Sequence, residues 1–331
     1  MNMTALSLPV QRIVCARTGG PEVLELHTAT LAAPQAHEVR IRHEAIGVNF
    51  LDVYVRSGLY PTEAPFTPGV EAAGVIEAIG SEVSGMQVGE RVVYATPPMG
   101  AYASARNLAA ERVVRLPADI SAQQAAATLL KGMSAHYLLH DSYRVQAGST
   151  VVVHAATGGV GSLLVPWAKH LGAKVIALVG AATKVARAHA LGADVVVDTA
   201  KADWVAAVLH ATDGRGADCV YDSVGKDTFA GSLACLRVRG TLVSYGQSSG
   251  AVPPVDVLEL GKKSVFLTRP SLWDHTSTRS ELLVRAAAVH QLLAAGVLSA
   301  DVGQVWPLAQ AADAHRALQA RTTHGSTLLV P

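Results

Sequence analysis

The sequence predicts an α/β fold in which a doubly wound parallel sheet accompanies a separate β-rich domain. Three observations carry this. The 331 residues suit about two domains of ordinary size. From residue 150 onward, apolar strand-like runs alternate with helix-like runs closed by glycine, the pattern of a parallel sheet with helices on both faces. The first third lacks that alternation and shows short β-forming runs punctuated by glycine and proline.

The β-rich part includes segments 38–43, alternating around Val39 and Ile41, and 73–79, rich in β-formers. Turns fall at Gly19-Gly20-Pro21, Gly58, Pro61, Pro65, Pro68-Gly69 and Pro97-Pro98, a spacing that suggests a compact, partly barrel-like domain. A helix is expected over 121–130, with Ser121 as N-cap and Gln124 three residues on. A second helical segment, 134–145, is expected after Gly132. Strand 150–154, helix 160–171 closed by Gly172, strand 174–179 and helix 184–191 closed by Gly192 follow. Next come strand 195–198, a helix around 204–211, and strands 219–223 and 241–245. After Pro270 the pattern gives helix 281–295 ended by Gly296, helix 309–320 and a final strand 326–330. That last strand lies too far along to continue the central unit simply, and its return to the N-terminal domain is one solution.

Composition narrows the function. Half the residues are hydrophobic and 16% are charged, ample for a large core. A formal net charge of +1 provides no global field for nucleic acid, acidic lipid or a polyanion. Cys15, Cys219 and Cys235 are odd in number and widely spaced, so they form neither a disulfide framework nor a CxxC metal site. Residues 1–12 lack the basic start and apolar core of a signal peptide. No apolar run reaches the ~20 residues of a membrane helix. The expectation is a soluble cytoplasmic protein with reduced thiols.

The chemistry concentrates in Val151-Val152-Val153-His154-Ala155-Ala156-Thr157-Gly158-Gly159-Val160-Gly161. A dinucleotide pyrophosphate must approach the backbone closely at a helix N-terminus, where side chains would obstruct it. A glycine motif alone is weak, and an ordinary glycine-rich turn is the competing reading. This motif follows an apolar strand and opens a helix inside a βαβ unit, which is the confirming context. The following strand ends in Leu178-Val179-Gly180-Ala181-Ala182-Thr183-Lys184, without the acid that holds an NAD ribose. Gly180 makes room for a 2′-phosphate and Lys184 supplies a countercharge, so NADPH is the expected cofactor. An exposed lysine in a first helical turn is the rival reading of Lys184.

These residues, with others along the chain, resemble the NADPH:quinone oxidoreductases of the zeta-crystallin type, within the medium-chain dehydrogenase/reductase superfamily. The resemblance covers nearly the whole chain. It is carried by Gly19-Gly20-Pro21-Glu22-Val23-Leu24, Gly47-Val48-Asn49-Phe50-Leu51-Asp52-Val53-Tyr54 and Arg56-Ser57-Gly58-Leu59-Tyr60. Lys131-Gly132-Met133-Ser134, Tyr221-Asp222-Ser223-Val224-Gly225 and Ser244-Tyr245-Gly246-Gln247-Ser248-Ser249-Gly250 add to it. So do Thr268-Arg269-Pro270-Ser271-Leu272 and Gly325-Ser326-Thr327-Leu328-Leu329-Val330-Pro331.

The resemblance implies a GroES-like β-rich catalytic domain from residues 1–130 and 271–331, with a Rossmann NADPH-binding domain, 131–270, inserted between them. It also implies a homodimer. Asn49 and Tyr54 would lie beside the nicotinamide at the mouth of the cleft. Gly158, Gly159, Val160 and Gly161 would meet the pyrophosphate, and Gly180 and Lys184 the 2′-phosphate. Ser134, Ser223, Gly246, Gln247 and Ser248 would line the cofactor groove, with Arg269 and Arg321 as basic residues near it. Family members often carry a tyrosine just after the third strand of the nucleotide domain; this chain has Thr199, which leaves Lys184 less help.

Zinc-dependent relatives carry a Gly-His-Glu element, and here the stretch is Gly69-Val70-Glu71, with no cysteine between Cys15 and Cys219. Zinc needs three or four tightly arranged ligands, so no metal is expected. Without a Lewis acid, an already electrophilic acceptor is the natural substrate. Three readings follow: a quinone reductase, a reductase of activated double bonds, or a low-turnover NADPH-binding sensor. The near-neutral charge weighs against nucleic acid in the third. Asn49 and the Tyr54 hydroxyl are candidate donors to the acceptor oxygen; orienting the nicotinamide without proton transfer is the alternative. Phe50 and Tyr60 are candidates to face a flat acceptor, Phe50 having core packing as the favoured role. His136, His140 and His154 have no accompanying triad or metal spacing and are read as structural.

Overall fold

The computed structural model describes residues 7–331. Residues 1–6, part of the stretch read above for a targeting signal, lie outside the described residues. In chain order the strands are β1 (Leu8–Val14), β2 (Glu25–Leu31), β3 (Glu38–Val48), β4 (Glu71–Ile79), β5 (Arg91–Ala95), β6 (Ala105–Ala109), β7 (Val114–Arg115), β8 (Thr150–Val153), β9 (Lys174–Val179), β10 (Val195–Asp198), β11 (Ala217–Asp222), β12 (Leu236–Ser244), β13 (Phe266–Thr268), β14 (Val302–Pro307) and β15 (Ser326–Val330).

The chain divides into two units. Unit 1 comprises Met1–Leu130, Thr278–His290 and Ala300–Pro331; unit 2 comprises Lys131–Ser277 and Gln291–Ser299. The chain thus leaves unit 2 after the short helix Leu272–His275, a little beyond the boundary expected near 271. That helix is tied to unit 2 by His275, whose ring stacks on Tyr137 at 4.4 Å and whose Nδ1 lies 3.0 Å from Asp141 Oδ2.

In unit 1 the main sheet runs β14-β15-β3-β4-β5-β7, with β6 also paired to β3, while β1 and β2 form a separate antiparallel pair. Alternating residues of β3, including Val39 and Ile41, enter a core with Ile13, Ile76, Val92, Tyr94 and Leu329. Burying each such side chain is worth roughly 1.5–3 kcal/mol, which fixes the register. The final strand does return to this unit: Thr327, Leu328 and Leu329 face Val48, Gly47 and Ile46 antiparallel. Strand 38–43 is longer than expected, because apolar residues continue to Val48. The helix Phe50–Arg56 then follows at once, where the sequence suggests only strands and turns. Its start is set by Asn49, which is extended, and by Asp52, whose carboxylate accepts the Asn49 backbone N–H at 2.8 Å.

Helix Ala122–Tyr137 begins as expected. Ser121 Oγ accepts from Gln124 N at 3.2 Å, and Gln124 Oε1 accepts from Ser121 N at 2.8 Å. It does not break at Gly132, however, and the expected separate segment 134–145 is its continuation into a widened turn, Leu138–Ser142. A mid-helix glycine costs only about 1 kcal/mol. Burial of Leu129, Met133 and Ala135 along this helix outweighs that.

Unit 2 holds a six-stranded parallel sheet, order β10-β9-β8-β11-β12-β13, with Val152, Ile176, Leu178, Val220 and Leu242 in its core. Gly172 (φ 83°) and Gly192 (φ 96°) close their helices in the left-handed region, as their positions predict. Helix Trp204–Ala211 is capped by Asp203, which accepts from Val205 N and Ala206 N, both at 3.1 Å. Among the described residues no helix is long and apolar enough to cross a membrane. The three cysteines are free and buried.

Candidate active site

In unit 2 the strand order reverses between β8 and β11, and parallel sheets leave a crevice outside the strand carboxyl ends at such a point. The turn after β8 sits there. Ala155 takes a left-handed conformation (φ 48°), Gly158 N donates to Ala155 O at 2.9 Å, and helix Gly161–His170 begins three residues later. Gly158, Gly159 and Val160 are half-exposed at the positive end of that helix. Gly161 differs. It is buried, and a Cβ there would lie 2.4 Å from Ala155 O, so this glycine serves helix–strand packing.

At the end of β9, Gly180 is exposed, and a Cβ built on it meets nothing within 4 Å. Lys184 closes the short turn Ala182–Lys184 and is half-buried. Thr199, just beyond β10, donates both its amide and its hydroxyl to Val179 O, at 2.8 and 3.2 Å. With its hydroxyl hydrogen committed, Thr199 presents only lone pairs, a poor match to phosphate oxygens.

Ser223 follows β11, and the turn Gly246-Gln247-Ser248 follows β12. A Cβ on Gly246 would lie 2.6 Å from Ser223 O, so only glycine lets these segments meet. Ser248 N completes the pairing, donating to Ser223 O at 3.2 Å. Beneath them the fully buried Asp222 accepts from Val224 N (2.8 Å), Gly225 N (3.1 Å), Thr228 Oγ1 (2.8 Å) and Ser232 Oγ (2.7 Å). His154 Nε2 lies 3.0 Å from Ser232 Oγ. Because that hydroxyl donates to Asp222, His154 is assigned an Nε2–H that donates to Ser232. Burial lowers the His154 pKa, with Asp222 opposing, so the ring is neutral. Arg269, exposed beyond β13, donates to Ser244 O at 2.9 Å. Ser134 is buried within its helix. His136 and His140 pack around Trp167, with ring centroids 5.6 and 5.9 Å from it.

In unit 1 the buried Asn49 is held twice. Its backbone N–H reaches Asp52, and its Nδ2 donates to Glu71 Oε2 at 3.0 Å. Glu71 Oε1 accepts from Leu130 N at 2.7 Å. Tyr102, fully buried, donates to Asp52 Oδ2 at 2.9 Å; burial first, and Asp52 next, raise its pKa well above the ordinary phenol value. Tyr54 is 8% exposed and lies in an aromatic group, 5.9 Å from Phe50 and 5.3 Å from Tyr60 between centroids. Arg321 is exposed in a left-handed conformation (φ 59°). An open groove of about 940 Å³ on this unit, lined by Arg12, Phe66, Met99 and Arg106, includes none of the expected site residues.

Val70, where zinc-dependent relatives have histidine, is buried and apolar. Among the described residues no group of three or more His, Cys, Asp or Glu side chains is arranged to hold a metal. Sequence reasoning misses Asp52, Tyr102, Asp222 and Ser232, and weighs Glu71 only against zinc. One local signal exists: Asn49-Phe50-Leu51-Asp52 has the spacing of a reciprocal helix cap.

The alcohol dehydrogenase GroES-like domain family matches residues 35–146, and the zinc-binding dehydrogenase family matches residues 159–285. Quinone oxidoreductase 1 of Escherichia coli is 44% identical over 324 residues, covering 97% of this chain and 99% of that protein. The chain belongs to the quinone oxidoreductase family of medium-chain dehydrogenases/reductases. The crystal structure of E. coli quinone oxidoreductase complexed with NADPH matches at a TM-score of 0.95 and 44% identity, covering 97% of this chain and 100% of that one. The 2-haloacrylate reductase of a Burkholderia species is 42% identical over 330 residues, covering 97% of this chain and 99% of that protein. Membership of the quinone oxidoreductase family makes the chain an oxidoreductase with a Rossmann nucleotide-binding domain and a GroES-like domain.

Proposed function

We propose that the chain reduces quinones with NADPH, without zinc. The carrying observation is the acid-free end of β9, where the space beside Gly180 is open and Lys184 brings a positive charge. A carboxylate there would repel a 2′-phosphate. Gly158, Gly159 and Val160 offer the pyrophosphate a helix N-terminus, while Gly161 packs the helix close enough for this. Ser223, Gly246, Gln247 and Ser248 form the groove wall, with Ser134, Arg269 and Arg321 as further cofactor residues, while Thr199 braces the end of β9 through Val179 O rather than meeting the phosphate. The E. coli relative solved with NADPH supports the same choice of cofactor.

Bound NADPH supplies a hydride to an electrophilic carbon. The protein's work is then to hold the acceptor flat, exclude water and meet the charge that develops on oxygen. We assign Asn49 to orienting bound groups, and Tyr54 to one aromatic wall with Tyr60 and Phe50. The proposal includes a homodimer and a cytoplasmic setting. The exposed apolar edge of unit 2 at Phe266, on β13, supports the first.

Oxidation of NADPH against a panel of quinones, with NADH in parallel, tests the reading. Turnover of enones or 2-haloacrylates without quinones would move the chain to the second reading, which its 42% identical relative favours. Binding of NADPH with no acceptor oxidising it would leave the sensor.

A further inference from the structure

The groove of about 940 Å³ on unit 1 is lined by Arg106 of β6, a residue only 8% exposed. Buried cations are ordinarily paired with an acid. Among the described residues no acidic side chain pairs with this one, and its hydrogen-bond acceptors are neutral: Nε donates to Asn107 O at 3.4 Å and Nη1 to Pro98 O at 3.1 Å. The guanidinium carbon lies over the Tyr94 ring, 5.3 Å from its centroid, and the Tyr94 hydroxyl is itself 3.0 Å from His43 Nε2. Burial pushes that hydroxyl up to about 12, and the charge of Arg106 works against the rise. These contacts fix the guanidinium while committing two of its five N–H groups to carbonyl oxygens; both N–H groups of Nη2 are among the rest. Gly100, also on the groove, keeps the fork uncovered. Its φ of 132° favours glycine, and a Cβ there would lie 3.5 Å from the guanidinium carbon and 3.6 Å from both Nη1 and Nη2.

Arg12, exposed on β1 with its backbone bridged to Ala103, is the second cation of the lining, and Glu63 is its only acid. Two arginines and one glutamate leave a formal charge of +1, which suits one negative charge and not a polyanion. Parallel N–H groups of a guanidinium match a carboxylate, which they can hold by two hydrogen bonds at once. Val10, Leu31, Phe66 and Met99 make much of the remaining surface apolar. We propose that this groove is a second ligand site, separate from that of the dinucleotide, for a small molecule with one carboxylate on an apolar body. The carboxylate binds the Nη1–Nη2 fork of Arg106, Arg12 attracts it from the exposed rim, and the body packs on Phe66 and Met99. Asn49, Phe50, Tyr54 and Tyr60 are absent from the lining, so the site is not the acceptor wall assigned above.

Calorimetry and ligand-observed NMR on the full chain, with 3-phenylpropanoate as probe, test it. The expected Kd is about 1 mM or tighter, the same with and without saturating NADPH. The uncharged 3-phenylpropanamide and the body-less acetate should each bind at least about tenfold more weakly. Arg106→Gln should weaken 3-phenylpropanoate about 10- to 100-fold. At the exposed rim, Arg12→Ser should weaken it and Glu63→Gln should tighten it, each about two- to fivefold. Those two variants decide the matter if circular dichroism shows Arg106→Gln unfolded. A purely structural Arg106, clamping Pro98 and Asn107 over Tyr94, predicts no binding of the probe. Failure to bind at about 10 mM, equal affinity for acid and amide, or displacement by NADPH overturns the inference. So does an unchanged Kd in folded Arg106→Gln or, where that variant is unfolded, in both rim variants. Quinone turnover of folded Arg106→Gln should stay at the parental level, so this site can fail while the proposed activity stands.

Discussion

Tyr102 and His315, 213 positions apart in the chain, are joined by a 2.9 Å hydrogen bond inside unit 1. Because Tyr102 gives its own hydrogen to Asp52, His315 must donate Nε2–H to the phenol oxygen. The ring is neutral: burial, and then the nearby Arg56 cation, push its pKa down to about 3. His43 is a second case. Burial lowers it to about 4 even though the Ala103 carbonyl, 2.7 Å from Nδ1, works in the opposite direction.

Both rings titrate near 6.5 in the unfolded chain. Below that value the unfolded chain takes up protons that the folded one refuses. Stability is therefore fully present above pH 6.5 and falls as pH falls toward 4, by up to about 1.4 kcal/mol per pH unit for each histidine. His154 and His290, also lowered by burial, add in the same sense. Urea unfolding midpoints from about pH 7 to 5 should decline, and His315→Gln, whose amide can still donate to Tyr102, should decline less steeply. Equal slopes for the two proteins would contradict a neutral buried His315.

Two glycines of the nucleotide unit should respond oppositely to alanine. Gly161→Ala forces a Cβ to 2.4 Å from the Ala155 carbonyl and should cost about 1–3 kcal/mol along with NADPH affinity. Gly180→Ala fills open space and should change stability by less than about 0.5 kcal/mol. Gly180→Glu, in contrast, and Lys184→Ala should each raise the NADPH Kd about 10- to 100-fold while sparing NADH. Titrations that find NADPH affinity retained in both would remove the 2′-phosphate argument.

Tyr54→Phe separates ring from hydroxyl. A general acid contributes about 10²- to 10⁴-fold to rate. The tight Phe50–Tyr54–Tyr60 grouping points to a packing and orienting ring, so turnover should fall by less than about tenfold. A loss of about a hundredfold with unchanged NADPH affinity would instead make the hydroxyl a proton donor.

Phe266 is 62% exposed on β13, at the edge of the parallel sheet, and Val257 and Leu258, a few residues earlier in the chain, are exposed as well. A Phe266→Asp variant should sediment as a monomer where the parent sediments as a dimer. Identical sedimentation of the two would move the proposed interface elsewhere.

The nucleotide unit is legible because its signals are local. Apolar runs, closing glycines and the turn at 155–161 each lie within one short window. Gly132 misleads because a helix-weakening residue says nothing of the burial of Leu129, Met133 and Ala135 around it. The anchoring of Asn49 is far less visible. Asp52 is close in sequence, but Glu71, Tyr102 and His315 are brought in by the sheet and by the late helix Ala311–Gln319. Such pairings have no spacing rule. In the sequence Glu71 stands out only as the neighbour of a missing zinc ligand, and its partner is the asparagine instead.

The return of β15 to β3 has a consequence for biosynthesis. About 280 residues separate Val48 from Thr327, its partner across the sheet. At roughly 5–20 residues per second, translation leaves that edge of β3 without its own strand for about 15–55 s. The entire parallel sheet of unit 2 emerges in the meantime and can fold first. The nascent chain thus carries an incomplete, apolar strand edge at Ile46, Gly47 and Val48 until β15 is made. Emergence of β15, long after that of β3 and β4, sets the earliest moment at which the Asn49-bearing sheet closes.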